Sequence, residues 1–269
     1  MRVRVNGVEL SYEDTGRGDP LVLVHGSWVG QDTWDFVRPG LAESYRVVSY
    51  DRRGHGQSER PAEQGPRSGQ EDDLAALIEE LGCAPAHVAA NSFGGSIALG
   101  LAARRPELFR TLIVHEPPLI ATIADDPALE ALMDEFAAKR RSVDERLEAG
   151  DFPGGARLFV EEVAIGPGMW ELVPEDQREK MIANAPAYLA DQQDPEWASI
   201  DTAGLAGFSA PTLLTHGEQS PPWFAKIAAK LAGTMRSAQW RKLAQAGHVP
   251  HLTNPGEYVA TVSRFIRGA

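Results

Sequence analysis

The chain has 269 residues, with 26 Lys and Arg against 38 Asp and Glu, for a formal net charge of −12. That length suits one large domain, or a domain carrying an insertion, and it can bury a sizeable core. The acidic balance argues against a nucleic-acid partner, because phosphate neutralisation needs clustered Lys and Arg. The single cysteine, Cys83, leaves no intrachain disulfide, which suits a reducing compartment. Met1-Arg2-Val3-Arg4-Val5 lacks the apolar core of a signal peptide, and no apolar run reaches ~18 residues. A soluble cytoplasmic protein with no membrane partner is expected.

Arg2 to Val5 and Val8 to Glu13 alternate around Asn6-Gly7, as in a β-hairpin. Leu21-Val22-Leu23-Val24 is a continuous apolar run, expected for a strand buried on both faces, and it ends at His25-Gly26-Ser27-Trp28. A helix is predicted from about Asp32 to Glu43. A strand follows at Tyr45 to Tyr50, ending at Asp51-Arg52-Arg53-Gly54-His55-Gly56-Gln57-Ser58. Gln70 to Leu81 places Leu74, Leu77, Ile78 and Leu81 on one helical face, with Gly82 to stop it.

Next come an apolar run, Ala86 to Ala90, and a helix-like run, Ser96 to Arg105, joined by Asn91-Ser92-Phe93-Gly94-Gly95. Strand, one-residue apex, helix is the geometry of a nucleophile elbow, which needs small neighbours. Here those are Ala90 and Gly94. The first N–H groups of the following helix favour negative charge developing beside Ser92. A Gly/Ser-rich turn with Ser92 as helix N-cap is the plainer alternative. A strand at Thr111 to Val114 completes the first half.

The alternation breaks after Pro117-Pro118. From about Leu119 to Ala206 the pattern is helical, notably Ala128 to Arg141 and parts of Asp176 to Ala190, with Gly-Pro punctuation at Gly166-Pro167-Gly168. The β/α pattern resumes with a strand at Pro211 to Thr215, a helix at Pro222 to Ala232, a strand at Ser237 to Leu243 and a final helix at Pro255 to Arg267. The fold class is therefore α/β: a mostly parallel sheet flanked by helices, with core residues 1–118 and 207–269 and a helical cap over 119–206.

Four stretches in this order carry a resemblance: His25-Gly26 after a buried strand, Asp51 to Ser58, the Ser92 elbow, and Gly247-His248-Val249-Pro250-His251 before the last helix. Together they resemble the α/β-hydrolase superfamily, along nearly the whole chain. The resemblance implies Ser92 as nucleophile and His248 as its general base. The oxyanion hole would combine the N–H groups of Ser27 and Phe93. Imidazole suits the base role because its pKa lies near neutrality. His251, His55 and His87 are read as structural.

The third member of the triad departs from the family. The usual acid is an Asp in the loop after the strand at Pro211 to Thr215, where this chain has Ser220. A hydroxyl carries no charge to stabilise an imidazolium. Three readings stand: Glu218, two residues early; a Ser92–His248 dyad; or Glu116, directly after the strand at Thr111 to Val114. Glu116 is favoured. His115-Glu116-Pro117-Pro118 resembles the His-Glu turn of zearalenone-type lactone hydrolases, which use such a glutamate.

Cap residues should set the substrate. Phe136, Phe159, Tyr188 and Trp197 are large candidates; Met169 and Trp170, after the Gly-Pro-Gly loop, are singled out, and Trp28 is expected to wall the pocket. The reading is a serine hydrolase, an esterase or lactonase, acting on a small hydrophobic ester or lactone with no cofactor or metal. A cofactor-free perhydrolase or a C–C bond hydrolase would share the triad, and a hydrolase-like ligand-binding protein is the rival from another class. The sequence leaves the oligomeric state unknown.

Overall fold

The computed structural model describes residues 1–164 and 166–269. Eight strands make one sheet: β1 (Arg2–Val5), β2 (Val8–Gly16), β3 (Pro20–Val24), β4 (Arg46–Tyr50), β5 (Ala86–Asn91), β6 (Phe109–His115), β7 (Thr212–Gly217) and β8 (Ala238–Leu243). Their spatial order is β1-β2-β4-β3-β5-β6-β7-β8. β2 pairs antiparallel with β1 and β4, and every other neighbouring pair is parallel. Among the described residues the α-helices are α1 (Arg38–Ala42), α2 (Arg67–Glu80), α3 (Phe93–Arg104), α4 (Glu130–Glu148), α5 (Phe152–Leu158), α6 (Glu175–Gln193), α7 (Thr202–Gly207), α8 (Pro222–Thr234), α9 (Pro250–Thr253) and α10 (Pro255–Arg267). This is the expected α/β class.

Period-two alternation divides the core between the faces of the sheet. In β3, Val22 and Val24 join a cluster with Leu74 and Leu77 of α2, Ile97 and Leu101 of α3, and Ile227 of α8. Leu21 and Leu23 join the opposite cluster, with Leu41 of α1 and Val262 and Ile266 of α10. Both faces of the central strands are thus covered, as their continuous apolar sequence requires.

Several boundaries differ from expectation. The helix expected over Asp32 to Glu43 is a 3-10 turn, Gln31–Trp34, followed by α1. Pro39 sits in the first turn of α1, where its missing N–H costs nothing, so it opens a new helix rather than continuing one. β2 runs to Gly16 because Asp14, Thr15 and Gly16 pair with Val48, Val47 and Arg46 of β4. α6 continues through Pro186 to Gln193.

Helices α4 to α7 lie between β6 and β7, and among the described residues no strand occurs there. They have a cluster of their own, including Val143, Leu147, Val160, Trp170 and Tyr188, which takes in Trp28 from the loop after β3. No helix of the described residues is long and apolar enough to cross a membrane.

The order β4-β3-β5 makes a topological switch point: the chain steps from β3 to β4 on one side, then crosses to β5 on the other. Ligands of open α/β sheets bind at the carboxyl ends of the strands at such a point. His25 and Ser92 follow those strand ends directly.

Candidate active site

Ser92 links β5 to α3 with φ 55° and ψ −129°. A serine in that region is strained and persists only where its surroundings hold it. The hold is tight packing against the end of β3. A Cβ on Gly94 would collide with the His25 carbonyl oxygen, and one on Gly26 would lie 2.9 Å from Ser92 Cβ. Neither Ser27 nor Phe93 donates its N–H to a protein acceptor among the described residues. Both line the same cleft as Ser92 and His248.

Glu116 stands one residue beyond β6 with φ 49°, a left-handed conformation that turns its side chain toward the His248 loop. It is completely buried. Its Oε2 accepts a hydrogen bond from His248 Nδ1 at 2.7 Å, and its Oε1 accepts the Gly217 N–H at 2.6 Å. Burial opposes the Glu116 charge, but the His248 hydrogen bond and the nearby His115 and His248 rings outweigh it, bringing the pKa down to about 2. The bond to Glu116 puts the His248 proton on Nδ1, so Nε2 carries the lone pair. Ser92 and His248 line the same cleft without a hydrogen bond between their side chains.

The other candidate acid is elsewhere. Glu218 is exposed, pairs with Lys242 Nζ at 2.9 Å and accepts the Gln245 N–H at 3.1 Å. The β7 turn thus serves Glu116 with a backbone donor instead of carrying the carboxylate. Ser220 Oγ is buried without a hydrogen-bond partner among the described residues, near enough to Glu116 to favour its charge.

Two polar residues that sequence reasoning left without a role fix the His248 loop. Asn91 Nδ2 donates to the His248 carbonyl at 2.9 Å, and His115 Nε2 donates to the Gly247 carbonyl at 3.1 Å. They are register partners at the ends of β5 and β6. Burial drives the His115 pKa down to about 4, so its ring is neutral near pH 7. A polar residue closing the apolar run at the carboxyl end of a buried strand, Val88-Ala89-Ala90 before Asn91 and Leu112-Ile113-Val114 before His115, is the signal that could have marked each. His251 is buried, with Nε2 3.0 Å from Thr33 Oγ1 and its ring on Trp34, a structural setting.

The cleft above Ser92 measures about 740 Å³ including its mouth. Its walls are mostly apolar and include Phe136, Phe159, Trp197, Trp223 and Phe224, with the Phe136 and Trp223 ring centroids 5.2 Å apart. Phe224 stacks on the His248 ring, centroids 5.1 Å apart. Arg140 is the one Lys or Arg among the described lining residues; its Nη1 donates to Asp144 at 2.8 Å and to Gln192, which also lines the cleft, at 3.3 Å.

Three expected substrate contacts are corrected. Met169 and Trp170 do not line the cleft; they pack into the insertion's own core, and Trp170 faces a separate outer groove with Arg178 5.8 Å from its ring centroid. Trp28 is also absent from the wall: it lies behind Phe159 and Tyr188, with ring centroids 4.8 and 4.4 Å away. Among the described residues no group of three or more His, Cys, Asp or Glu could hold a metal ion.

Comparison with known proteins gives the same architecture. The profile of the "Alpha/beta hydrolase family" matches residues 21–262. A 2-hydroxymuconate semialdehyde hydrolase of Pseudomonas sp. (strain CF600) is 29% identical, covering 98% of this chain and 92% of that protein. A pimeloyl-[acyl-carrier protein] methyl ester esterase of Nitrosospira multiformis is 27% identical, covering 97% and 99%. A crystal structure of an alpha/beta hydrolase from Sphaerobacter thermophilus superposes with a TM-score of 0.80 at 27% identity, covering 98% of this chain and 99% of that one.

Proposed function

Because the chain belongs to the alpha/beta hydrolase family, we propose that it is a serine hydrolase cleaving a carboxylic ester or lactone through an acyl-enzyme on Ser92. The observation that carries the reading is the 2.7 Å contact of His248 Nδ1 with Glu116 Oε2, beside a cleft that His248 shares with Ser92. A serine hydroxyl needs a base to become a nucleophile. His248 Nε2 takes the Ser92 proton as Oγ attacks the carbonyl carbon. The tetrahedral oxyanion is received by the N–H groups of Ser27 and Phe93. Glu116 holds the ring in its tautomer and balances the imidazolium without taking the proton. His248 then protonates the leaving alcohol, which departs from an ester and stays tethered in a lactone. Water, deprotonated by His248, releases the acid and regenerates Ser92.

Residues 119–206 act as a cap in this reading, and their aromatic side chains favour a hydrophobic acyl or alcohol group. Arg140 and Gln192 offer polar contacts to an oxygen on the substrate remote from the scissile bond. Dehalogenase and epoxide-opening chemistry is disfavoured, because it needs a carboxylate nucleophile where Ser92 stands. A C–C bond hydrolase is the second reading, favoured by the 29% identical hydrolase that spans almost the whole chain.

The test is labelling with a fluorophosphonate, followed by turnover of nitrophenyl esters of graded chain length, lactones of several ring sizes and a β-diketone. Labelling at Ser92, with ester or lactone turnover that Ser92→Ala abolishes, is the expected result. Wild-type hydrolysis by Ser92→Ala would end the serine-hydrolase reading, and turnover of the diketone alone would give the site to C–C cleavage.

A further inference from the structure

The Asp51 to Ser58 motif has no part in the reaction above, yet it sets a buried cation behind the reacting groups. Arg52 follows β4, and its side chain is 1% exposed, against 0% for its ion-pair partner Asp191 of α6. A cation there is tolerated when it is paired and hydrogen-bonded; among the described residues Nη1 and Nη2 find partners and Nε does not. Arg52 Nη1 donates to Gln70 Oε1, and to Asp191 Oδ2 at 3.2 Å. Nη2 donates to His55 Nε2 at 3.1 Å and to the Gly26 carbonyl at 3.2 Å.

The backbone fixes the protons around it. The Arg52 N–H donates to His25 Nε2 at 2.9 Å, so His25 carries its own proton on Nδ1. That Nδ1 donates to the same Gly26 carbonyl at 2.7 Å. Burial, reinforced by Arg52, keeps the His25 pKa well below its usual value, so the ring stays neutral. The Gly26 carbonyl therefore accepts two hydrogen bonds, one of them charge-assisted.

That carbonyl and the Ser27 N–H belong to one peptide group. Hydrogen bonds accepted at the oxygen draw electron density from the nitrogen and strengthen its N–H as a donor. The guanidinium also lies over the Phe93 ring, 5.2 Å from its centroid, beside the second proposed donor. From the other side, α6 grips the same loop with one stripe of residues. Asn184 Nδ2 donates to the Trp28 carbonyl at 3.2 Å, Tyr188 packs on the Trp28 ring, and seven residues beyond Asn184 comes Asp191.

We propose that Arg52 is a positioning residue for the oxyanion hole: it orients and polarises the Gly26–Ser27 peptide, and its pairing with Asp191 ties that donor to the docking of the helical insertion. The proposal rests on the serine-hydrolase reading.

The test replaces the pair by apolar residues, Arg52→Met with Asp191→Leu, since such replacements of buried ion pairs are often tolerated. Arg52→Lys, which keeps a charge but not the fork, serves as the second variant. Each is measured for thermal midpoint, kcat and KM on a nitrophenyl ester, and inhibition by an alkylboronic acid, whose Ser92 adduct carries the tetrahedral anion. Deleting an oxyanion donor outright lowers kcat by ~10²–10³, so losing its polarisation should cost about 10–100-fold. The boronate inhibition constant should rise by a similar factor, with KM unchanged within about twofold. Arg52→Lys should move kcat and boronate affinity the same way by a smaller factor. Should the double variant not fold, Arg52→Lys decides alone. A folded variant with wild-type kcat and boronate affinity would reduce Arg52 to an anchor and overturn the proposal. Failure of the reading beneath it shows differently, as wild-type protein that turns over no ester or lactone.

Discussion

The rim of the sheet and the helical insertion above it shape the cleft by different means. At the rim, backbone does the positioning: Ser92 and Glu116 have positive φ, Gly217 N–H holds Glu116, and strand-end side chains hold the carbonyls of Gly247 and His248. In the insertion, helices present side chains, and what reaches the cleft depends on how α4, α5 and α6 pack on one another. Strain and backbone hydrogen bonds fix atoms to fractions of an ångström, as bond making requires. Side chains from a packed helical layer suffice for shape and substrate selection. Rim substitutions should therefore appear in kcat and insertion substitutions in KM.

The largest expected effect tests the rim. Glu116→Gln keeps the side chain's size but removes its charge, and should lower kcat by about 10³–10⁴-fold, the scale for neutralising a triad acid elsewhere. Glu218→Gln, at an exposed pair with Lys242, should change kcat by less than about twofold. Ser220→Asp in the Glu116→Gln background should recover about 10–100-fold, because position 220 lies close to Glu116 and follows the neighbouring strand. A fully active Glu116→Gln enzyme would undo the contrast and leave Ser92–His248 as a dyad.

The same carboxylate should register in stability. The folded pKa of Glu116, about 2, lies below the unfolded value of 4.5. Its contribution is therefore complete above pH 4.5 and is lost as pH falls through about 2. His115, at about 4 against 6.5, likewise contributes fully above pH 6.5 and loses that contribution as pH falls through about 4. The Tm advantage of wild type over Glu116→Gln should shrink between pH 4.5 and 2, while Glu218→Gln tracks wild type. A gap that does not vary with pH would mean that shape, not charge, is what Gln fails to supply.

The rim was legible in the sequence because its requirements are local. A strained apex needs small neighbours, a strand end needs a turn, and both are written in adjacent residues. Glu116 is singled out because position 220 holds Ser in place of Asp and Glu116 is the carboxylate that ends the adjacent strand, although the sequence leaves Glu218 and a dyad open. Arg52 lies within a recognisable motif, but its role is not legible there, since its partners Gly26, Gln70 and Asp191 are distant in sequence. In the insertion only helicity was legible. Helical period shows which residues are apolar, not which neighbour each faces, so Met169 and Trp170 are singled out as substrate contacts and Arg140, inside the helix expected over Ala128 to Arg141, is given no role.

Arg140 gives the insertion its clearest expected effect. Arg140→Met keeps an apolar stem of similar length and removes the guanidinium, with its donors and its place 4.9 Å from the Trp197 ring centroid. A hydrogen bond to a charged group contributes ~1.5–3 kcal/mol, so KM should rise about tenfold or more for esters with an oxygen acceptor remote from the scissile bond. It should stay near wild type for plain alkyl esters, and kcat should hold within about twofold on both. An equal rise for both ester types would make Arg140 a packing residue.

Trp170 should have the smallest effect on catalysis, and for that reason it tests the contrast most closely. It is 8% exposed and packs with Val160 and Ala185 beneath the outer groove, away from Ser92. Trp170→Ala should act as a core truncation, costing up to ~3–5 kcal/mol of stability, with kcat and KM of the folded enzyme within about twofold of wild type. Trp197→Ala, at a residue that does line the cleft, should raise KM for bulky esters with a smaller fall in Tm. The pair holds residue type constant within the insertion: Trp170 is buried in the insertion's own core, and Trp197 is half-buried against the core on the sheet side. If Trp170→Ala shifted selectivity as much as Trp197→Ala, the insertion would transmit its packing to the substrate as a unit, and its side chains could not be sorted into those that touch substrate and those that only support the layer.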